Sequence, residues 1–172
     1  MAKRFNLREY QENMLVRLQE ATATAQADAR LGVEIGGRQW LVKLADVAEV
    51  LPVPNIAEVP LARPWLKGVA NVRGNLMSVI DLQAFFNEGS QALSQLSRIL
   101  LIQPRHLPHA SILVGRMLGI RHSDAMTVTP LPADVPAWIT STYKDDKGQV
   151  WQELDIEHLV NDPAFLQTGI IA

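Results

Sequence analysis

The sequence predicts a mainly β protein of many short strands, with short helices and a helical N-terminal extension. Short apolar runs recur along the chain, each interrupted by glycine or proline. Several alternate apolar with polar residues, the period of a strand with one buried face. The first twenty residues instead space their apolar side chains by three and four, the period of a helix. Strands this short, with this punctuation, suit small β-barrels or a sandwich.

Leu7, Tyr10, Met14, Leu15 and Leu18 form one helical stripe. Asn6 can cap it, Glu9 completes a capping box, and Phe5 can staple against Tyr10. ATATAQADAR follows as a fraying end or linker. LGVEIGGRQWLVKL then reads as a hairpin turning at Gly36-Gly37, where positive φ angles are needed. Trp40, Val42 and Leu44 share one face of its second strand. VAEVLPVP is a strand ended by Pro52 and Pro54, and IAEVP is another. RPWLKG is a turn, and VANVR and LMSVI are strands joined by a turn at Gly74-Asn75. LQAFF makes one or two helical turns.

Residues 87–97 (NEGSQALSQLS) are polar and form the best internal boundary. RILLIQ, SILVGRMLGI and QVWQEL follow as strands separated by proline-rich loops. DIEHLVNDPAFLQ is helical, with a break near Pro163. Ile80-Asp81-Leu82-Gln83-Ala84-Phe85 matches Leu154-Asp155-Ile156-Glu157-His158-Leu159 in pattern, which predicts two similar halves of about 60 residues.

The chain has 172 residues, which suits one domain or two small ones and is enough for a real core. A net charge of −2 and a pI near 6.1 give no field to recruit nucleic acid or an anionic membrane. No cysteine is present, which excludes disulfides, thiolate metal sites and cysteine nucleophiles. The N-terminus lacks the apolar core of a signal peptide, and the apolar runs are too short to span a bilayer. These features predict a soluble, intracellular protein.

WLKGVANVRGNLMSVIDL, residues 65–82, holds the candidate chemistry. Gly68 and Gly74 have five residues between them, and Asn75 follows. A phosphate loop needs four, then Lys-Ser/Thr. Asp81 and Asp155 are not read as an acid pair, because each stands where a helix N-cap belongs. His106 and His109 read as a solvated loop, His158 as a surface or half-buried residue, and Trp65 and Trp151 as core. No convergent set of titratable groups suggests an enzyme. On VANVR, Ala70 and Val72 form the small apolar face, while Val69, Asn71 and Arg73 lie on the other. Arg73 then points outward just before the turn. Its fork suits a partner's carboxylate or carbonyl, or an intramolecular pair with an acid such as Glu49 or Glu58.

PWLKGVANVRGNLMSVIDL resembles the signature of the CheW-like adaptor family: K-G-V, N-x-R-G and a closing apolar-Asp-Leu. Val47-Ala48-Glu49-Val50 is similar to the family's V-x-E-[IV] strand, and LVGRMLGIRH and LDIEHLVNDPAFL to its second half. The likeness covers roughly residues 30–166. PWLKGVANVRG, GIRH and D-P-x-F resemble the PilI type, the adaptor of type IV pilus (twitching motility) chemosensory systems.

The resemblance implies two SH3-like five-stranded β-barrels over residues 31–166, after an extension over 1–30 and before a tail over 167–172. It implies an adaptor without enzymatic activity or cofactor. Such an adaptor bridges the cytoplasmic tip of a methyl-accepting chemoreceptor and the regulatory domain of a CheA-type histidine kinase. That places it in the cytoplasm, at receptor arrays, meeting the membrane only through the receptor. By motif, the partner-binding residues are Val47, Glu49, Val50, Asn71 and Arg73, with Gly68 where a side chain would crowd that surface. Ser78 departs from the family's frequent proline and frees a backbone N–H for different strand pairing. The alternative reading is a small β-barrel that binds a ligand or nucleic acid. Few aromatic residues and a slightly acidic balance weigh against it.

Overall fold

The computed structural model describes residues 14, 16, 17 and 28–169. The expected N-terminal helix, with its cap and staple, lies outside the described residues apart from Met14, Val16 and Arg17.

Twelve strands form two six-stranded sheets among the described residues. β1 (Ala29–Ile35) and β2 (Arg38–Lys43) make the expected hairpin, with Gly36 and Gly37 at φ +59° and +73°. A 3-10 turn over 44–46 leads to β3 (Val47–Pro52), β4 (Ile56–Ala57), β5 (Leu66–Val72), β6 (Asn75–Asp81) and helix α1 (Leu82–Phe85). After residues 87–97 come β7 (Arg98–Ile102), β8 (Ala110–Val114), β9 (Arg116–His122), β10 (Thr127–Thr129), β11 (Ile139–Lys144) and β12 (Val150–Leu154). Helices α2 (Ile156–Val160) and α3 (Pro163–Leu166) close the chain. β10 and β11 have no counterpart in the sequence reading: TVT and ITSTYK are too polar to read as apolar runs.

The first sheet runs β10-β11-β12-β2-β1-β9 and the second β3-β7-β8-β6-β5-β4. Each holds five strands of five or more residues plus one short end strand, β10 or β4. This order makes the faint repeat concrete. Residues 29–86 contribute a hairpin, four strands and a helix, and residues 98–160 contribute the same series. Each hairpin inserts into the other block's sheet. Each hairpin joins the other block along one parallel seam, β2–β12 or β6–β8, and one antiparallel seam, β1–β9 or β3–β7. The stretch 87–97 therefore separates the repeats. Each barrel takes strands from both sides of it.

The two blocks agree in detail. The register slips at Val47/Glu49 in β3 and opposite Gly32/Val33 where β9 pairs β1. It slips again at Leu66/Gly68 and at Ile139/Ser141. Asp81 N–H donates to the Trp65 carbonyl, and Asp155 N–H to the Trp138 carbonyl. Both aspartates cap their helices as expected, accepting from Ala84 N at 3.2 Å and from His158 N at 3.0 Å.

Strand alternation sends side chains to two buried layers. Trp40, Val42, Ile80, Ile112 and Leu154 join a central core shared by both sheets. Leu41, Tyr143 and Trp151 fill the first barrel, and Ala70, Val79, Ile99 and Leu113 the second. RILLI and ASILV are thus nearly continuous apolar runs because both of their faces are covered. Each such fully buried Ile, Leu or Val contributes about 1.5–3 kcal/mol. At one end of the central core Phe165 stacks on Trp65, at 5.2 Å and 10°. Phe86 stacks on Trp138, at 4.9 Å and 12°. The tail is tied down through Thr168, whose carbonyl accepts from Arg63 N, and a bridge between Ala62 and Gly169.

Candidate functional site

The Val-Arg-Gly-Asn corner begins with a two-residue turn. Val72 pairs with Asn75, so Arg73 and Gly74 form the turn, at φ +52° and +86°. The turn lies one residue earlier than the sequence suggested, and Arg73 is in it rather than before it. Asn71 shows why the motif reads N-x-R-G. Its side-chain oxygen accepts from Gly74 N at 2.9 Å and fixes the turn.

From there the Arg73 guanidinium meets Glu49 on β3 with two bonds, 2.7 and 2.5 Å. β3 and β5 lie at opposite sides of the second sheet, with three strands between them. In a flat sheet their axes would be roughly 19 Å apart at the usual strand spacing. The contact is possible because the sheet curls, and the ion pair sits across the closure of the barrel. Of the alternatives for Arg73, the intramolecular pair with Glu49 is the one formed, with the Arg73 side chain still 70% exposed.

The other candidate residues divide. Ala70 is buried and Val72 packs behind it in the second barrel, as the alternation predicted. Val47 and Val50 are half-buried and pack on the central core, while Ala48 at the bulge is exposed. Gly68 is buried rather than presented. A Cβ there would lie 2.3 Å from the Ala57 carbonyl oxygen, so Gly68 lets β4 approach β5. Leu76 was not singled out. It pairs with Asn71, is 62% exposed, and places apolar surface beside Arg73. Its signal was its place in LMSVI, where Met77 and Val79 alternate inward.

The repeat adds a comparison within the molecule. The matched bulges put Gly119 of β9 where Glu49 stands in β3. The Arg73–Glu49 pair therefore belongs to one barrel only.

Other groups behave differently from expectation. Ser78 uses its freed N–H to bond the His109 carbonyl at 2.8 Å, joining β6 to β8. His106 is not solvated. Its Nε2 lies 2.8 Å from the buried Asp46, which also accepts from Arg105 at 2.9 Å, so the 103–109 loop is latched to the 3-10 turn over 44–46. Arg30, read as linker, is the first barrel's buried cation. Its Nε donates to Glu153 at 2.6 Å, and Tyr143 donates to the same carboxylate at 3.0 Å. Burial pushes the Tyr143 hydroxyl up from its ordinary pKa.

Residues 30–164 match the CheW-like domain model. This chain belongs to the CheW-like domain family. It is also similar to Protein PilI of Pseudomonas aeruginosa, 29% identical over 150 residues, covering 84% of this chain and 82% of that protein. The CheW-like architecture is seen in the crystal structure of scaffolding protein TtCheW from Thermoanaerobacter tengcongensis. The TM-score is 0.63 at 20% identity, over 75% of this chain and 89% of that one. That likeness bears on the fold. No helix among the described residues is long and apolar enough to cross a membrane.

Proposed function

We propose that this CheW-like protein is a non-enzymatic scaffold adaptor in a chemosensory system that controls type IV pilus twitching motility. It couples the cytoplasmic tip of a chemoreceptor to the regulatory domain of a CheA-type kinase, and works in the cytoplasm at receptor arrays. The likeness to PilI supports the pilus system.

The observation that carries the docking site is the exposed Arg73–Glu49 pair, present in one barrel and replaced by Gly119 in the other. Around it Leu76 offers apolar contact, Val47 and Val50 set the strand, and Asn71 and Gly68 hold the geometry. A receptor helix can use the guanidinium's remaining N–H groups or take the place of Glu49. The test is capture of the full chain on a receptor signalling fragment, comparing wild type with Arg73→Asn. Asparagine suits the turn and removes the fork. Loss of capture with an unchanged melting curve supports the site, and unchanged capture rejects it. Co-purification at native level tests the kinase.

A further inference from the structure

The Arg73–Glu49 pair depends on which way Glu49 faces. β3, which carries Glu49, ends its sheet and pairs with β7 alone. Its register slips between Val47 and Glu49, where the strand takes up an extra residue. A slip of one residue turns every side chain of a strand to the other face, and would carry Glu49 away from Arg73.

One loop holds the chain just before this bulge. Gln103 N donates to the Asp46 carbonyl at 2.9 Å, and its side-chain amide reaches the Val47 carbonyl at 3.5 Å. Arg105 Nη2 donates to the Ala45 carbonyl at 2.6 Å and to Asp46 Oδ1 at 2.9 Å. His106 Nε2 lies 2.8 Å from that same oxygen. Residues 103–106 thus grip three consecutive carbonyls and one carboxylate. Asp46 is 7% exposed, and a buried carboxylate is costly to part from its cation. The grip therefore resists sliding as well as fraying.

The other repeat lacks this device. One residue before its matching bulge stands Arg116, at the place of Asp46. Arg116 is half-exposed and pairs across the strands with Glu34 at 2.7 Å. That repeat has Gly119 in place of Glu49, so its β9 has no carboxylate to aim. The buried anchor and the aimed carboxylate occur together, on one strand.

We infer that Asp46 is the positioning residue of the docking face. Held by Arg105 and His106, it fixes the register of β3 so that Glu49 meets Arg73. This rests on the reading of that pair as the docking site, and adds that the 103–106 loop sets its geometry.

The test uses Asp46→Ala, Asp46→Asn and Arg105→Ala in the full chain, each held well below its melting temperature. Amide hydrogen exchange over residues 47–52 should become about tenfold faster in both alanine variants, with residues 150–154 at wild-type rates. Arg105→Ala alters a half-exposed side chain and keeps the test open if Asp46→Ala does not fold. Capture on the receptor signalling fragment should fall about fivefold for Asp46→Ala, and should fall no further than Arg73→Asn alone when the two are combined. Asp46→Asn keeps an acceptor oxygen and should recover most of the capture, and Arg116→Ala should change neither readout. Unchanged exchange over 47–52, loosening spread evenly through both barrels, or a loss that adds to that of Arg73→Asn overturns the inference. If Arg73→Asn itself leaves capture unchanged, the docking reading fails, and exchange over 47–52 alone decides whether Asp46 fixes the strand.

Discussion

Arg73 and Glu49 come from opposite sides of one sheet and meet at 2.5 Å, so one exposed pair marks both the closure of a barrel and its candidate docking face. An exposed pair contributes about 0–1 kcal/mol to stability. Arg73→Asn and Glu49→Gln should each leave thermal unfolding nearly unchanged. Receptor capture should fall for Arg73→Asn. A double-mutant cycle on binding will show whether Glu49 acts through Arg73: coupling of the two losses is expected, and simple additivity would count against it.

Gly68 has the opposite profile. Its φ of +147° and the 2.3 Å approach of Ala57 to a built Cβ leave no room for a side chain. Gly68→Ala should cost roughly 2–4 kcal/mol in denaturant unfolding, by strain and displacement of β4. If stability is kept and receptor capture alone is lost, Gly68 is a contact rather than a spacer.

The ion pair inside the first barrel separates breaking from replacing. In the matched registers, Arg30, Glu153 and Tyr143 occupy the places of Ile99, Val79 and Ala70 in the second barrel. Glu153→Leu alone should cost about 3–5 kcal/mol, because Arg30 keeps its charge in the interior. Arg30→Met with Glu153→Leu should recover most of that. Chemical denaturation of the four members of the cycle gives the answer.

Acid stability carries the signature of Asp155. Burial raises its carboxyl, but the His158 backbone N–H, the Lys43 ammonium at 2.9 Å and the His158 ring more than offset that, and hold it at about 2. A carboxyl lowered in the folded state stabilises above its unfolded value near 4, and that stability is lost as pH falls toward 2. The loss is on the order of 2 kcal/mol. Asp155→Asn should flatten the stability profile between pH 5 and 2. An unchanged profile would assign the acid sensitivity to other carboxylates.

Phe165 tests the C-terminal segment. It is buried and stacked on Trp65, so Phe165→Ala should cost about 3–5 kcal/mol in urea unfolding. A loss below 1 kcal/mol would show that the segment is an independent tail.

Local chemistry made much of this molecule legible in its sequence. Gly36-Gly37 announced a hairpin because only such residues take two positive φ angles cheaply. Asp81 and Asp155 announced helix starts because their carboxylates accept the first free N–H groups. The apolar spacing of the strands showed which residues go inward, and the Asp-centred match showed a repeat. The K-G-V and N-x-R-G motifs carry the likeness to the family.

Only the tertiary structure decided how the two repeats share their strands. Hairpin exchange depends on pairings as distant in sequence as Gln39 with Trp151 and Ala29 with His122, and no local period records them. The same distance hid Arg30, which looks like linker until Glu153 is placed beside it. It also left Arg73 open between a partner's carboxylate or carbonyl and an intramolecular pair with an acid such as Glu49 or Glu58. Composition and spacing determine which residues turn outward; the curl of the sheet determines which of them meet.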